Sequence, residues 1–136
     1  MASTLPGTTV REMVAAAEAE VEALEPGALI RLADDPELQL VDVRDVRELE
    51  REGRIPGSFH APRGMLEFWI APDSPYHKDV FASGKRFVFY CNKGWRSALA
   101  AQTAQRLGLA QVAHLAGGLE AYRAAGGALE PYERKR

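Results

Sequence analysis

The sequence has 136 residues, of which 46% are hydrophobic and 26% are charged, and this composition excludes a disordered or fibrous chain. Its length suits one domain with a single hydrophobic core. The formal net charge of −2 gives no electrostatic reason to expect nucleic acid or an acidic membrane as a partner, and a single cysteine excludes an internal disulfide framework.

The N-terminal segment, residues 1–34, is predicted to be a helical extension. Apolar residues recur at helical spacing between Val10 and Leu24, and Pro26 is expected to end this first helix. Residues 28–33 are predicted to form a second, short helix. The apolar stripe of the first helix is expected to pack on its own domain, with a dimer contact as the alternative, so a monomer and a homodimer both remain open.

No apolar run reaches the length of a signal peptide or of a membrane span, and acidic residues interrupt the N-terminal segment. We therefore expect a cytoplasmic protein with no membrane partner.

The rest of the chain alternates short apolar runs with helical segments. The predicted strands are residues 38–43, a short one opening at Phe59, 87–90 and 112–115. The predicted helices are residues 46–50, 97–107 and 119–125, and residues 62–85 are predicted to be a loop region that holds a short helix. This alternation predicts an α/β domain over residues 35–132, with a mainly parallel sheet, helices on both faces and a solvated basic tail at 133–136. In such sheets chemistry gathers at the carboxyl ends of the strands.

Cys91 follows the predicted strand 87–90, and a short loop then leads directly into the next helix. The unpaired N–H groups and the dipole of a helix start favour an anion at this position, and Lys93 and Arg96 add positive charge. We expect this setting to favour the thiolate, which is the nucleophilic form of cysteine. The alternative is that Cys91 is a small buried hydrophobic residue, as many free cysteines are.

Four motifs occur in order between residues 38 and 130. They are Leu40-Val41-Asp42-Val43-Arg44 with Glu48, Gly53-Arg54-Ile55-Pro56-Gly57-Ser58, the loop formed by Cys91, Gly94, Arg96 and Ser97, and Gly117-Gly118-Leu119 with Tyr122 and Gly126. In sequence and order they resemble the signatures of the rhodanese family. The departures are Arg54 and Ser58 in the turn motif, and Tyr122 where tryptophan is usual.

This resemblance implies a rhodanese-like, doubly wound fold and a sulfurtransferase. Such an enzyme moves a sulfane sulfur from thiosulfate or a similar donor, through a persulfide on Cys91, to cyanide, a thiol or a sulfur-acceptor protein. It implies Cys91 as the catalytic residue, no metal and no organic cofactor. The substrate-binding residues would be Asn92, Lys93, Gly94, Trp95, Arg96 and Ser97. Asp42 and Arg44 are expected to form a structural ion pair near the site.

Loop length separates sulfur chemistry from phosphate chemistry. Only four residues, Asn92 to Trp95, lie between Cys91 and Arg96. Related cysteine-based phosphatases space their cysteine and arginine one residue further apart, which widens the cradle for a phosphate. A phosphatase or an arsenate reductase is therefore disfavoured, whereas a rhodanese-like binding or regulatory module without turnover remains the alternative function.

Several side chains keep two interpretations. Arg96 either binds an anionic donor or braces the loop by pairing with a carboxylate, and the two roles can coexist. Trp95 either lines the mouth of the site or covers the neighbouring surface. A group of aromatic residues forms either one wall of the pocket or part of the core: Phe68, Trp69 and Tyr76. The three histidines lack the spacing of metal ligands, and we expect none of them to bind a metal: His60, His77 and His114.

Overall fold

The computed structural model describes residues 7–134, and its strands form one parallel sheet of five. The strands are β1 (Glu22–Leu24), β2 (Leu38–Asp42), β3 (Phe59–His60), β4 (Arg86–Tyr90) and β5 (Val112–Leu115). Their order across the sheet is β1-β5-β4-β2-β3. The helices are α1 (Val10–Glu20), α2 (Pro26–Arg31), α3 (Val46–Glu52), α4 (Leu66–Ile70), α5 (Trp95–Arg106) and α6 (Gly118–Ala124).

Helices cover both faces of the sheet, as the alternation of strands and helices predicts. Along the central strand β4, Phe87 and Phe89 face the side covered by α4 and α5, while Val88 and Tyr90 face the side covered by α2 and α6. This two-residue alternation arises because successive side chains of a strand point to opposite faces. Because both faces of the sheet are buried, the strands appear in the sequence as short continuous runs of apolar residues.

The N-terminal helix is shorter than predicted. It ends at Glu20, and residues 22–24, which the sequence pattern assigned to the same helix, form β1 beside β5. The reason lies in the spacing of two apolar residues: Val21 packs into the core on one face of the sheet and Leu24 into the core on the other. In a helix, residues three apart share a face, but in an extended chain they point to opposite faces. The extended form therefore buries both residues.

Helix α1 packs on α5 within its own domain, as predicted, and buries Val14 and Ala17. The two helices run parallel. Arg11, near the start of α1, lies over the ring of Trp95 at the start of α5, whereas Glu20 at the other end contacts Arg106. Both helices therefore begin at the same edge of the sheet.

The remaining helices differ from their predicted bounds by one or two residues. For example, α3 continues to Glu52 and α5 begins at Trp95. The segment 62–85 contains α4 and two 3-10 turns, Arg63–Met65 and Asp79–Ala82.

The domain boundary after residue 34 stays a prediction, although β1 already belongs to the sheet and α2 to the helices that cover it. The end of the predicted basic tail, residues 135–136, lies outside the described residues. Within residues 7–134 no helix is both long and apolar enough to cross a membrane.

Candidate active site

Cys91 lies directly after β4, at the carboxyl end of the central strand of the sheet, and its side chain is 1% exposed. Gly94, in the left-handed conformation with φ of 108°, turns the loop so that its N–H donates to the Cys91 sulfur at 3.2 Å. The first intrahelical bond of α5 runs from the N–H of Ala98 to the carbonyl of Gly94. The N–H groups of residues 95–97 consequently have no acceptor inside the helix and add positive potential near the sulfur.

The loop opens into a surface pocket of about 610 Å³ lined by Cys91, Asn92, Lys93, Trp95 and Arg96. Five of the seven residues predicted for the cysteine loop thus line one pocket. The other two lie beneath it: Gly94 donates to the sulfur, and the hydroxyl of Ser97 lies 3.6 Å from it. The catalytic role of Cys91 and the assignment of the other six residues to substrate binding stay predictions.

Trp95 lines this pocket and is 44% exposed, so it belongs to the mouth of the site. The other aromatic residues considered for the pocket wall do not line it. Trp69 packs edge-on against Phe59 at 6.1 Å and joins the core, while Phe68 and Tyr76 are exposed.

Arg96 is braced by a carboxylate on α3. Its two terminal nitrogens donate to the two carboxylate oxygens of Glu48, at 2.8 and 3.0 Å. This pairing lowers the pKa of Glu48 and raises that of Arg96, since each charge stabilises the other. Of the two roles predicted for Arg96, bracing the loop is therefore present in the structure.

Glu48 and Glu52 also hold Asn92, whose side-chain amide donates to both carboxylates at 3.1 and 3.2 Å. Residue spacing did not assign either glutamate to the loop, although Glu48 was noted in the first motif. Their position on one face of α3, four residues apart, is the signal that could have paired them.

The predicted ion pair of Asp42 and Arg44 is present and entirely buried. Arg44 donates to both oxygens of Asp42, to Glu52, and to the side-chain oxygen of Asn92 at 3.2 Å. Burial alone would lower the pKa of Arg44, but the hydrogen bonds and charge of Asp42 outweigh it and raise the pKa. Arg44 therefore stays charged and connects the end of β2 to the cysteine loop.

The start of α6 supports the loop from the opposite side. The N–H of Leu119 donates to the carbonyl of Cys91 at 2.8 Å, and the N–H of Glu120 donates to the carbonyl of Asn92 at 3.1 Å. Gly118 permits this approach because a Cβ there would lie 2.5 Å from the backbone of Asn92. The double-glycine motif thus brings a helix start onto the cysteine loop.

The histidines occupy three different places. His60 contacts the carbonyl of Arg44 through Nε2 at 2.7 Å, and His77 lies in the segment before β4. His114, on β5, is 3% exposed and lies 3.4 Å from the hydroxyl of Ser97. Residue pattern did not identify His114 as part of the site. The available signal was strand alternation, since His114 pairs in register with Phe89 and so shares its face of the sheet with Cys91.

A family model of the rhodanese-like domain matches residues 25–125. The chain belongs to the rhodanese-like domain family. The match covers the whole cysteine loop and the motifs around it except Gly126, so the pocket described above lies within the matched region.

Three similar proteins extend this result. A mouse thiosulfate sulfurtransferase/rhodanese-like domain-containing protein 3 is 33% identical over 92 residues, which are 64% of this chain and 59% of the mouse protein. The structure of a Rhodopseudomonas palustris protein of unknown function, described as a possible tyrosine phosphatase, is 49% identical with a TM-score of 0.90, covering 96% of this chain and 99% of that one. The polysulfide-sulfur transferase homodimer of Wolinella succinogenes is 26% identical with a TM-score of 0.68, covering 88% and 85%.

The family and its sulfurtransferase members support a sulfurtransferase role at the level of the family. This chain spans little more than half the length of the mouse relative.

Proposed function

We propose that this protein is a sulfurtransferase that carries a sulfane sulfur as a persulfide on Cys91. The observation that carries the proposal is the position of Cys91, which lines the pocket and whose sulfur accepts a hydrogen bond from the N–H of Gly94. A ring of N–H groups around a cysteine stabilises negative charge on that sulfur, or on one further sulfur attached to it.

The first half of the cycle loads the sulfur. The Cys91 thiolate attacks the outer sulfur of thiosulfate, the S–S bond of the donor breaks, and sulfite leaves with the bonding electrons. Lys93 makes no ion pair within residues 7–134, so its charge is available to an anionic donor at the pocket rim. Arg96 contributes mainly by fixing the loop, because Glu48 already engages both of its terminal nitrogens.

The second half unloads the sulfur to an external acceptor. Cyanide or a thiolate attacks the outer persulfide sulfur, and the Cys91 thiolate leaves and restores the starting enzyme. The chain has no second cysteine that could resolve the persulfide internally. The acceptor is therefore a small molecule or a separate sulfur-acceptor protein.

Phosphatase activity is the competing proposal, because of the description given to the Rhodopseudomonas palustris protein. Two observations disfavour it here. A phosphatase uses the arginine fork to bind two phosphate oxygens, but the fork of Arg96 is occupied by Glu48. The loop between Cys91 and Arg96 is also one residue shorter than in cysteine-based phosphatases.

The test is the intact mass of the protein after brief incubation with thiosulfate, followed by addition of cyanide. We expect the mass of one sulfur atom to be gained and then lost, with thiocyanate released in equal amount. The Cys91→Ser variant provides the control and should gain nothing.

Three outcomes separate the alternatives. Sulfur gained by Cys91→Ser would refute the role of Cys91. No adduct with thiosulfate, a polysulfide or mercaptopyruvate would contradict the proposal and favour a binding module without turnover. Hydrolysis of an aryl phosphate that depends on Cys91 would instead support the phosphatase.

A further inference from the structure

A buried histidine lies behind the cysteine loop, and the cycle proposed above does not use it. His114 is 3% exposed, and its Nδ1 lies 3.4 Å from the hydroxyl oxygen of Ser97. That oxygen lies 3.6 Å from the Cys91 sulfur. Three side chains from β5, α5 and the end of β4 thus form one continuous series of contacts.

The hydroxyl of Ser97 has a choice of partners. It donates to the carbonyl of Gly94 at 3.2 Å, but the N–H of Ala98 donates to the same carbonyl at 3.1 Å. The carbonyl therefore remains paired when the Ser97 hydroxyl rotates away from it. The Ser97 side chain is completely buried, so bulk water does not compete for its hydroxyl and its partners are groups of the protein.

The surroundings of His114 keep its ring neutral near pH 7. Burial lowers the pKa of His114, and the negative charge of Glu18 on α1 opposes this effect only in part. Glu18 is the charged group whose field reaches the ring from α1, while α5 contributes Ser97 and β4 leads to Cys91. A neutral imidazole has one N–H and one acceptor nitrogen, and it can exchange the two.

We propose that His114 controls the direction of the Ser97 hydroxyl and thereby stabilises the Cys91 thiolate. In the thiol form, Cys91 donates to Ser97, Ser97 donates to Nδ1, and the ring carries its proton on Nε2. In the thiolate form, Nδ1–H donates to Ser97 and Ser97 donates to the sulfur. His114 is thus a positioning residue that acts through Ser97.

The change between the two forms releases one proton. The Cys91 proton passes to Ser97, the Ser97 proton passes to Nδ1, and the proton on Nε2 leaves to water. The ring is neutral before and after, and no oxidant or reductant takes part. The same arrangement stabilises Cys91 as the leaving thiolate when an acceptor removes the sulfur, and in this respect the inference rests on the proposed function.

The test is the rate at which iodoacetamide alkylates the protein between pH 5 and 9 without any sulfur donor. Since Cys91 is the single cysteine, this rate reports on it alone. We expect His114→Val to move the pH midpoint up by about one unit, which makes alkylation about tenfold slower below the midpoint. His114→Gln, which can both donate to and accept from Ser97, should recover most of the rate.

A double-mutant comparison shows whether His114 acts through Ser97. Ser97→Ala should shift the midpoint as His114→Val does, and the double variant should shift it no further. His77→Gln changes a histidine outside the pocket lining and should leave the midpoint unchanged. An unchanged midpoint in His114→Val, or additive shifts in the double variant, would overturn the inference.

Nitrogen NMR of the unaltered protein gives a measurement that does not depend on whether the variants fold. The protonated ring nitrogen of His114 should change from Nε2 to Nδ1 as Cys91 loses its proton, whereas a fixed tautomer would contradict the inference. Neither experiment uses a sulfur donor. Their failure therefore leaves sulfur transfer standing, and failure of the mass experiment leaves the hydrogen-bond change standing.

Discussion

At the scale of single residues, Arg44 connects two parts of the molecule that lie far apart in sequence. Its side chain is fully buried, pairs with Asp42, and donates to Asn92 in the cysteine loop. Its charge has no access to water and is compensated by the carboxylates of Asp42 and Glu52, of which only Asp42 is fully buried. The pair is therefore part of the support of the loop, as well as of the strand end.

Removal of Arg44 should be far more costly than removal of an exposed arginine. Arg44→Met leaves Asp42 buried without its partner and is expected to lower the free energy of unfolding by about 3–5 kcal/mol. The control is Arg47→Met, whose pair with Asp45 is 74% and 50% exposed, and which should cost far less than Arg44→Met because water screens an exposed ion pair. Urea denaturation measures both, and similar losses in the two variants would contradict this account.

The sequence allowed the pairing of Asp42 with Arg44 to be predicted, because the two residues lie two positions apart at the end of the same predicted strand. It did not predict the contacts of Arg44 with Glu52 and Asn92. Those contacts depend on how α3 and the cysteine loop approach each other across the edge of the sheet. The sequence did not predict the position of His114 near the site either, since that position depends on the register between β4 and β5.

At the scale of elements, the position of the cysteine loop depends on the start of α6. Two N–H groups of α6 bond the carbonyls of Cys91 and Asn92, and Gly118 has a φ of 66° at the closest approach. A side chain at this glycine would meet backbone atoms, which cannot rotate away as a flexible side chain can.

Gly118→Ala should therefore displace the loop as well as strain the chain. We expect alkylation of Cys91 to slow by roughly ten- to a hundredfold, because small displacements of reacting groups have effects of this size. Gly126→Ala is the matched control: its φ is also positive, but among residues 7–134 no atom other than those of its chain neighbours lies within 4 Å of the added Cβ. It should lose about 1 kcal/mol of stability and keep its alkylation rate. Equal rates in the two variants would show that the approach of α6 is unimportant.

The elements differed in how well their patterns predicted them. β2, β4 and β5 are apolar runs with turn residues around them, and the structure confirms all three. β1 has only three residues, and its spacing from α1 fits a helix as well as a strand. The extended form is selected by the pairing with β5 and by the two cores that receive Val21 and Leu24 on opposite faces of the sheet, and this information is absent from the local sequence.

At the scale of the whole molecule, α1 brings a positive charge to the mouth of the pocket. This helix precedes residues 25–125, the region that the family model matches. Arg11 lies 5.4 Å from the centre of the Trp95 ring, and Trp95 lines the pocket. Since Glu48 engages Arg96, we expect the charge of Arg11 to add to that of Lys93 in attracting the anionic donor of the proposed function.

Arg11→Ala should weaken the binding of thiosulfate without changing the chemical step. We expect KM to rise about two- to fivefold with kcat unchanged, which is the effect expected for one exposed cation. Arg31→Ala, on α2 at the opposite face of the sheet, is the control and should leave KM unchanged. Steady-state kinetics at low and moderate salt decide the matter, and equal KM values in the two variants would refute the role of Arg11.

The position of β1 at the edge of the sheet also has a consequence for how the chain acquires its structure. Within the described residues, β1 pairs with β5 alone, and the helix before it packs on α5. Both α5 and β5 belong to the second half of the chain, so the ribosome synthesises α1 and β1 well before the elements on which they pack. Contacts between such distant segments form slowly, because a long loop must close first. We expect α1 and β1 to be synthesised before α5 and β5 and to reach their final positions only after those two elements have formed.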